Sequence, residues 1–188
     1  MMNLTSLERV LNIKLKKYKE YIAAHPHSVL VMFFFLPMII SKCAILIGVT
    51  NIGFVSQWEI SYRTVFGGAE GYTLTMVMYW ILSPLALLWV HSQTNYPGMS
   101  LKKAIIMIPM AWLLSIICWG AVKGVSVDYL VKAHTYTAVT RLSVGRKIYL
   151  LGRWHFFFCI LYACLVLIFV SILYCALTLT LRLILKRL

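Results

Sequence analysis

A lysine and a glutamate are the residues of this sequence closest to chemistry. Lys42 lies inside a long apolar run, and Glu70 directly precedes a second one. An ionisable side chain at such a position either reaches the membrane interface along its aliphatic stem or pairs with an opposite charge. We therefore keep two interpretations open: Lys42 extends to the interface, or it forms an intramembrane ion pair with Glu70 or with Glu59. Such a pair would fix helix packing or line a polar path.

A basic stretch between two apolar runs is the second candidate site. Residues 122–153 contain Asp128 as their acidic residue and six basic residues: Lys123, Lys132, Arg141, Arg146, Lys147 and Arg153. Apolar residues recur at helical spacing within the stretch, which is typical of an amphipathic helix on a lipid surface. We expect it to dock onto anionic lipid, or onto an acidic or membrane-inserted protein partner.

Residue types that enzymes and cofactor proteins need are scarce. The five cysteines form no Cys-x-x-Cys pair, and the five histidines supply no matched pair within a span for haem or metal. Hydrolase and metalloprotease motifs are missing, and the five acidic residues form no cluster that would hold Mg²⁺. No nucleic-acid recognition motif accompanies the net charge of +13. The sequence predicts a protein that is not an enzyme, has no cofactor or metal, and binds no nucleic acid.

Helices formed by long apolar runs must position the candidate site residues. The chain has 188 residues, of which 62% are apolar and 12% charged, whereas soluble domains are about 45–50% apolar and 25% charged. Four runs are long enough to cross a bilayer as helices, at residues 29–49, 72–90, 104–121 and 156–179. Pro37, Pro84 and Pro109 interrupt three of them and predict kinks. A basic amphipathic helix is predicted in residues 1–27, ahead of the membrane domain in residues 28–188.

The predicted fold is therefore all-α: a multi-pass membrane protein with four transmembrane helices preceded by an amphipathic N-terminal helix. Basic residues number ten in the segments on the side of the termini and seven in the loops on the other side. Because basic residues favour the cytoplasmic side, both termini are predicted to be cytoplasmic, in a bacterial inner membrane. The basic stretch 122–153 would then lie outside, against this trend.

Three functions fit these features. The first is non-catalytic protein–protein binding, as an accessory subunit of a bacterial inner-membrane assembly for secretion or conjugation. The second is immunity against a toxin. In length, span number, orientation and basic tail, the chain resembles immunity proteins against pore-forming toxins of the colicin A type. That resemblance implies binding of a membrane-inserted toxin, and it carries no site residues. The third is a small transporter or channel that uses Lys42 and Glu70. Expected partners are anionic lipids, other membrane proteins or a toxin, and a further copy of the chain.

Overall fold

A computed structural model describes residues 20–21, 24–56, 59–60, 63, 70–94, 100–127 and 151–184, and these residues form helices and no strand. The helices are α1 (Pro26–Ile47), α2 (Tyr72–Ile81), α3 (Ser83–Gln93), α4 (Leu101–Val127) and α5 (His155–Ile184). The all-α prediction is confirmed for this part of the chain. The predicted amphipathic helix falls mostly on residues 1–19, which lie outside the described residues.

Three of the described helices are long and apolar enough to cross a membrane. They are α1, residues Lys102–Val122 of α4, and α5. At 1.5 Å per residue, the 22 residues of α1 extend about 33 Å, slightly more than the ~30 Å of a hydrocarbon core. Helices α2 and α3 meet at an angle of 44° and pass the same test only as a pair, which would raise the number of spans to four. The chain thus has the helices of an integral membrane protein.

The bend between α2 and α3 lies next to a proline. Pro84 stands in the first turn of α3, and because proline has no N–H, the carbonyl four residues earlier loses its helical donor. Helix α2 ends at Ile81, and the N–H of its C-cap residue Leu82 donates to the Met78 carbonyl at 3.0 Å. Pro37 and Pro109 lie inside the continuous helices α1 and α4. The chain is therefore broken next to Pro84 and continues through the other two prolines.

Helix α5 contacts each of the other described helices and forms the centre of the bundle. A stripe of small side chains on α5 is buried, namely Cys159, Ala163, Val166 and Val170. Their spacing of three and four residues places them on one helix face. Lipid is as apolar as the core, so close packing at small residues, rather than exclusion of water, holds such helices together. The aromatic rings of Phe33 in α1 and Tyr79 in α2 pack edge to face with centroids 5.7 Å apart.

Polar groups between the helices are hydrogen-bonded across the bundle. The bonds include Tyr79 Oη to the Phe34 carbonyl at 2.8 Å, Trp80 Nε1 to Tyr162 Oη at 2.9 Å and Trp112 Nε1 to Thr180 Oγ1 at 3.1 Å. Bonds of this type between membrane helices contribute on average about 0.6 kcal/mol each. They tie α2 to α1 and α5, and α4 to α5.

Candidate functional site

Polar side chains gather at the end of the bundle where α1 ends and α2 and α5 begin. We call this group the polar cluster, and it consists of Ser56, Glu59, Arg63, Tyr72, Thr73, Thr75 and His155. Its centre is Glu59, which belongs to the segment between α1 and α2 and is only 2% exposed. A carboxylate this deeply buried requires partners for both oxygens.

The Glu59 carboxylate caps the beginning of α2. Oε1 accepts a hydrogen bond from the backbone N–H of Gly71 at 3.0 Å, and Oε2 accepts one from the backbone N–H of Thr73 at 2.7 Å. The guanidinium of Arg63, one helical turn further on, also donates to Oε1. The first N–H groups of a helix have no partner within the helix, and they lie at the positive end of its dipole. A carboxylate from another segment satisfies them here.

Ser56 and Thr73 form further hydrogen bonds between α2 and the segment that precedes it. The Ser56 N–H donates to Thr73 Oγ1 at 2.8 Å, and the Thr73 hydroxyl donates to Ser56 Oγ at 3.0 Å. Ser56 Oγ also accepts the Glu59 N–H at 3.3 Å, which is one half of a capping box. In the usual capping box the side chain of the glutamate would accept a hydrogen bond from the backbone N–H of the serine. Here the Ser56 N–H donates to Thr73 instead, so the Glu59 carboxylate can accept hydrogen bonds from the first N–H groups of α2.

Gly71, the N-cap residue of α2, lies close against α1. Its φ of 82° lies in the left-handed region, which side chains other than glycine rarely adopt. A Cβ at this position would lie 2.5 Å from Cγ1 and 2.8 Å from Cδ1 of Ile45. Glycine is therefore required here both for its backbone conformation and for its lack of a side chain.

Tyr72 and His155 connect α2 with the beginning of α5. The Tyr72 hydroxyl lies 3.0 Å from the Gly152 carbonyl and 2.7 Å from the Arg153 carbonyl. Thr75 Oγ1 lies 3.0 Å from His155 Nε2. Since the Thr75 hydroxyl donates its hydrogen to the Gly71 carbonyl, it must accept from the imidazole, which assigns the His155 proton to Nε2.

Cys159 and His155 form a contact that resembles a nucleophile with its base. The Cys159 Sγ lies 3.7 and 3.8 Å from the two ring nitrogens of His155. The cysteine is completely buried in the core, so its sulfur offers no path to a substrate. Cysteine here serves as a small packing residue of the α5 stripe.

The structure does not bring the two predicted intramembrane residues together. The side chains of Lys42 and Glu70 are both exposed, and they form no ion pair with each other. Within the described ranges, the ion-paired carboxylate is that of Glu59, and its partner is Arg63 rather than Lys42. The pairing of Lys42 with Glu70 stays a prediction.

The predicted docking residues lie mostly outside the described part of the chain. Lys132, Arg141, Arg146 and Lys147 belong to residues 128–150, and Lys123 is described only as a backbone position in α4. Arg153 is described and exposed, and its guanidinium carbon lies 5.6 Å from the ring centroid of Trp154. An arginine beside tryptophan is typical of a membrane interface. Docking through these residues stays a prediction.

Comparisons with models of protein families, with curated proteins and with solved structures find no match.

The geometry of the polar cluster indicates what chemistry it can perform. Both oxygens of Glu59 accept N–H donors, which leaves the carboxylate poorly suited to act as a base. Among the described residues, no group of three or more His, Cys, Asp or Glu could hold a metal ion. The polar cluster joins the segment after α1 to α2, and joins α2 to the beginning of α5.

Sequence reasoning missed the role of Glu59. The sequence offers it only as an alternative partner of Lys42. The signal that could have found it is the Ser56-x-x-Glu59 spacing, which is that of a capping box.

Proposed function

We propose that this chain is a four-span membrane protein that acts by binding other membrane proteins, without catalysis. The proposed setting is a bacterial inner membrane, with both termini in the cytoplasm and the chain an accessory subunit of a secretion or conjugation assembly. The observation that carries the proposal is that the buried polar groups of the described residues serve the protein's own helices. Glu59, Thr73 and Tyr72 cap or join helices within the described part of the chain.

The count of four spans is supported by the packing of the bent pair. Helices α2 and α3 together extend from Tyr72 to Gln93, about 33 Å at 1.5 Å per residue if straight. Both halves contact α1 and α5, so the two helices continue one path through the bundle. An even number of spans returns the C-terminus to the side of the N-terminus.

The surface of α4 supports binding within the membrane. This helix packs mainly on α5, and most of its other side chains are exposed and apolar. They include Ile105, Ile106, Leu113, Ile116 and Ile117. A span attached through one neighbour presents a long apolar face to lipid and to the spans of a partner. The net positive charge of residues 122–153, the stretch that begins in the last turns of α4, suits acidic protein groups and anionic lipid.

Affinity purification in mild detergent tests the proposal. The tagged protein is isolated from its host, and co-purifying proteins are identified and quantified by mass spectrometry. A stoichiometric set of other membrane proteins would support the accessory-subunit function. A clean single species or a homo-oligomer would refute it. Protection of cells against a pore-forming toxin, or ion flux that depends on Lys42, would then decide between the other two functions.

Matched charge variants test the docking residues in the same experiment. The double variant Lys132→Gln/Arg141→Gln removes two charges from the basic stretch. The double variant Lys102→Gln/Lys103→Gln removes two exposed charges at the other end of α4. If the basic stretch docks the partner, the first variant loses co-purifying protein several-fold and the second retains it. If both variants retained the same amount of co-purifying protein, the basic stretch would not be the docking site.

A further inference from the structure

In the segment that follows α1, two polar side chains are buried next to two apolar side chains that are exposed. Ser56 and Glu59 are buried in the polar cluster. Phe54 and Val55, their neighbours in sequence, are 59% and 41% exposed. A loop in water has the reverse arrangement, because water solvates polar groups and excludes apolar ones. The inversion indicates that the solvent around this segment is apolar on its outer side.

Contact with α1 gives the depth of the segment. Gly71, which Glu59 caps, lies directly against Ile45. Ile45 is 19 residues beyond Pro26, the first residue of α1, which corresponds to about 28 Å along the helix axis. This is less than the ~30 Å thickness of the hydrocarbon core. The capped end of α2 is therefore level with the last apolar turn of α1.

The apolar surface of the segment continues that of α1. Leu46 and Ile47, the last two residues of α1, are 75% and 76% exposed, and Val49, which follows the C-cap residue Gly48, is also exposed. Exposed aliphatic side chains at the end of a membrane helix face lipid acyl chains. Phe54 and Val55 add an aromatic and a β-branched side chain to the same end of the molecule.

Hydrogen bonds within the chain satisfy part of the segment's backbone. The Gly48 and Val49 N–H groups donate to carbonyls of α1 at 3.1 and 2.9 Å. The Gly53 N–H donates to Asn51 Oδ1 at 2.9 Å, and the Ser56 N–H donates to Thr73. An irregular segment reaches apolar solvent only where its backbone groups have partners, and the interface is the depth at which the remaining groups meet water.

We infer that residues 49–56 lie in the interfacial layer of the membrane, with Phe54 and Val55 inserted against the acyl chains of the leaflet at the end of α1. The partner of this surface is the lipid bilayer. The polar cluster is what makes the insertion possible, because it withdraws Ser56 and Glu59 from the lipid. The inference goes beyond the proposed binding function and depends on no protein partner.

Thiol labelling in nanodiscs tests the inference. The full-length variants Phe54→Cys and Val55→Cys are compared with Lys102→Cys, which replaces an exposed charged residue at the end of α4. Each is treated with a charged, water-soluble maleimide, the rate of the unmodified protein is subtracted, and labelling in SDS confirms that every thiol is intact. We expect Phe54→Cys and Val55→Cys to react at least tenfold more slowly than Lys102→Cys. A smaller difference would overturn the inference.

Photolabelling of the unmodified protein keeps the test independent of the variants. A phospholipid that carries a photoactivatable group in its acyl chain is included in the nanodisc, and labelled peptides are mapped by mass spectrometry. We expect label on Phe54 or Val55 as well as on Leu46 and Ile47. Label on Leu46 and Ile47 without label on residues 49–56 would overturn the inference.

Discussion

Replacing Glu59 by glutamine removes the charge that caps α2 while keeping the size of the side chain. The amide retains one acceptor oxygen and substitutes an NH₂ group for the other, so the N–H of Gly71 or of Thr73 loses its acceptor. A buried backbone donor left without a partner costs about 1–3 kcal/mol, and loss of a negative charge at a helix N-terminus costs about 0.3–2 kcal/mol. Together these terms lower the free energy of unfolding by about 3 kcal/mol.

Glu70→Gln is the matched control. It makes the same change of charge one residue before Gly71, but the Glu70 side chain is exposed and its substitution should alter stability by less than about 0.5 kcal/mol. Arg63→Gln should fall between the two variants. It leaves the buried carboxylate with its two backbone donors, and the Arg63 side chain is 38% exposed, so solvent screens the lost attraction.

Thermal unfolding of the three variants in one detergent measures this order. A loss of about 3 kcal/mol corresponds to a decrease in Tm of about 6–12 °C for a chain of this length. We expect the largest decrease for Glu59→Gln, a smaller one for Arg63→Gln and almost none for Glu70→Gln. If Glu59→Gln and Glu70→Gln melted within 1 °C of each other, the capping role assigned to Glu59 would be wrong.

Two further substitutions test the packing around this end of the bundle and its centre. Gly71→Ala should lower Tm more than Gly53→Ala, because both residues have positive φ but only the Gly71 Cβ would collide with Ile45; equal decreases would contradict the close approach. Tyr79→Phe should cost about 1 kcal/mol by deleting the hydrogen bond to the Phe34 carbonyl, and an unchanged Tm would show that this bond contributes nothing.

The helices could be predicted from the sequence because a membrane span requires little more than a long apolar run. The predicted spans at residues 29–49, 104–121 and 156–179 each fall largely within one described helix. Their boundaries differ for local reasons. Helix α1 begins at Pro26, since proline is favoured in the first turn, and it ends before Gly48, whose φ of 79° terminates it. Composition alone cannot reveal such end effects.

The polar cluster could not be predicted, because its contacts join residues far apart in sequence. The Ser56-x-x-Glu59 spacing predicts a local capping box, and half of that box forms. The other half is replaced by Thr73, so that the carboxylate reaches a helix 12 to 14 residues further along the chain. Which helix a buried carboxylate caps is decided by packing, here by the approach of Gly71 to Ile45.

Lys42 illustrates the same limit. The sequence shows that an ionisable residue lies within a span, but whether it meets Glu70 depends on the path of the segment between α1 and α2. In the structure that segment directs Glu59 inwards to Arg63, and the side chains of Lys42 and Glu70 are exposed.

The central claim, that the protein acts by binding other membrane proteins, is tested most directly by the native mass of the complex that it forms in its host membrane. The tagged chain is extracted in mild detergent, and the mass of the purified particle is measured by native mass spectrometry. We expect a mass that exceeds the 21.6 kDa of the chain by the mass of a different protein in fixed proportion. A particle with the mass of one chain, or of a whole number of copies of it, would contradict the claim.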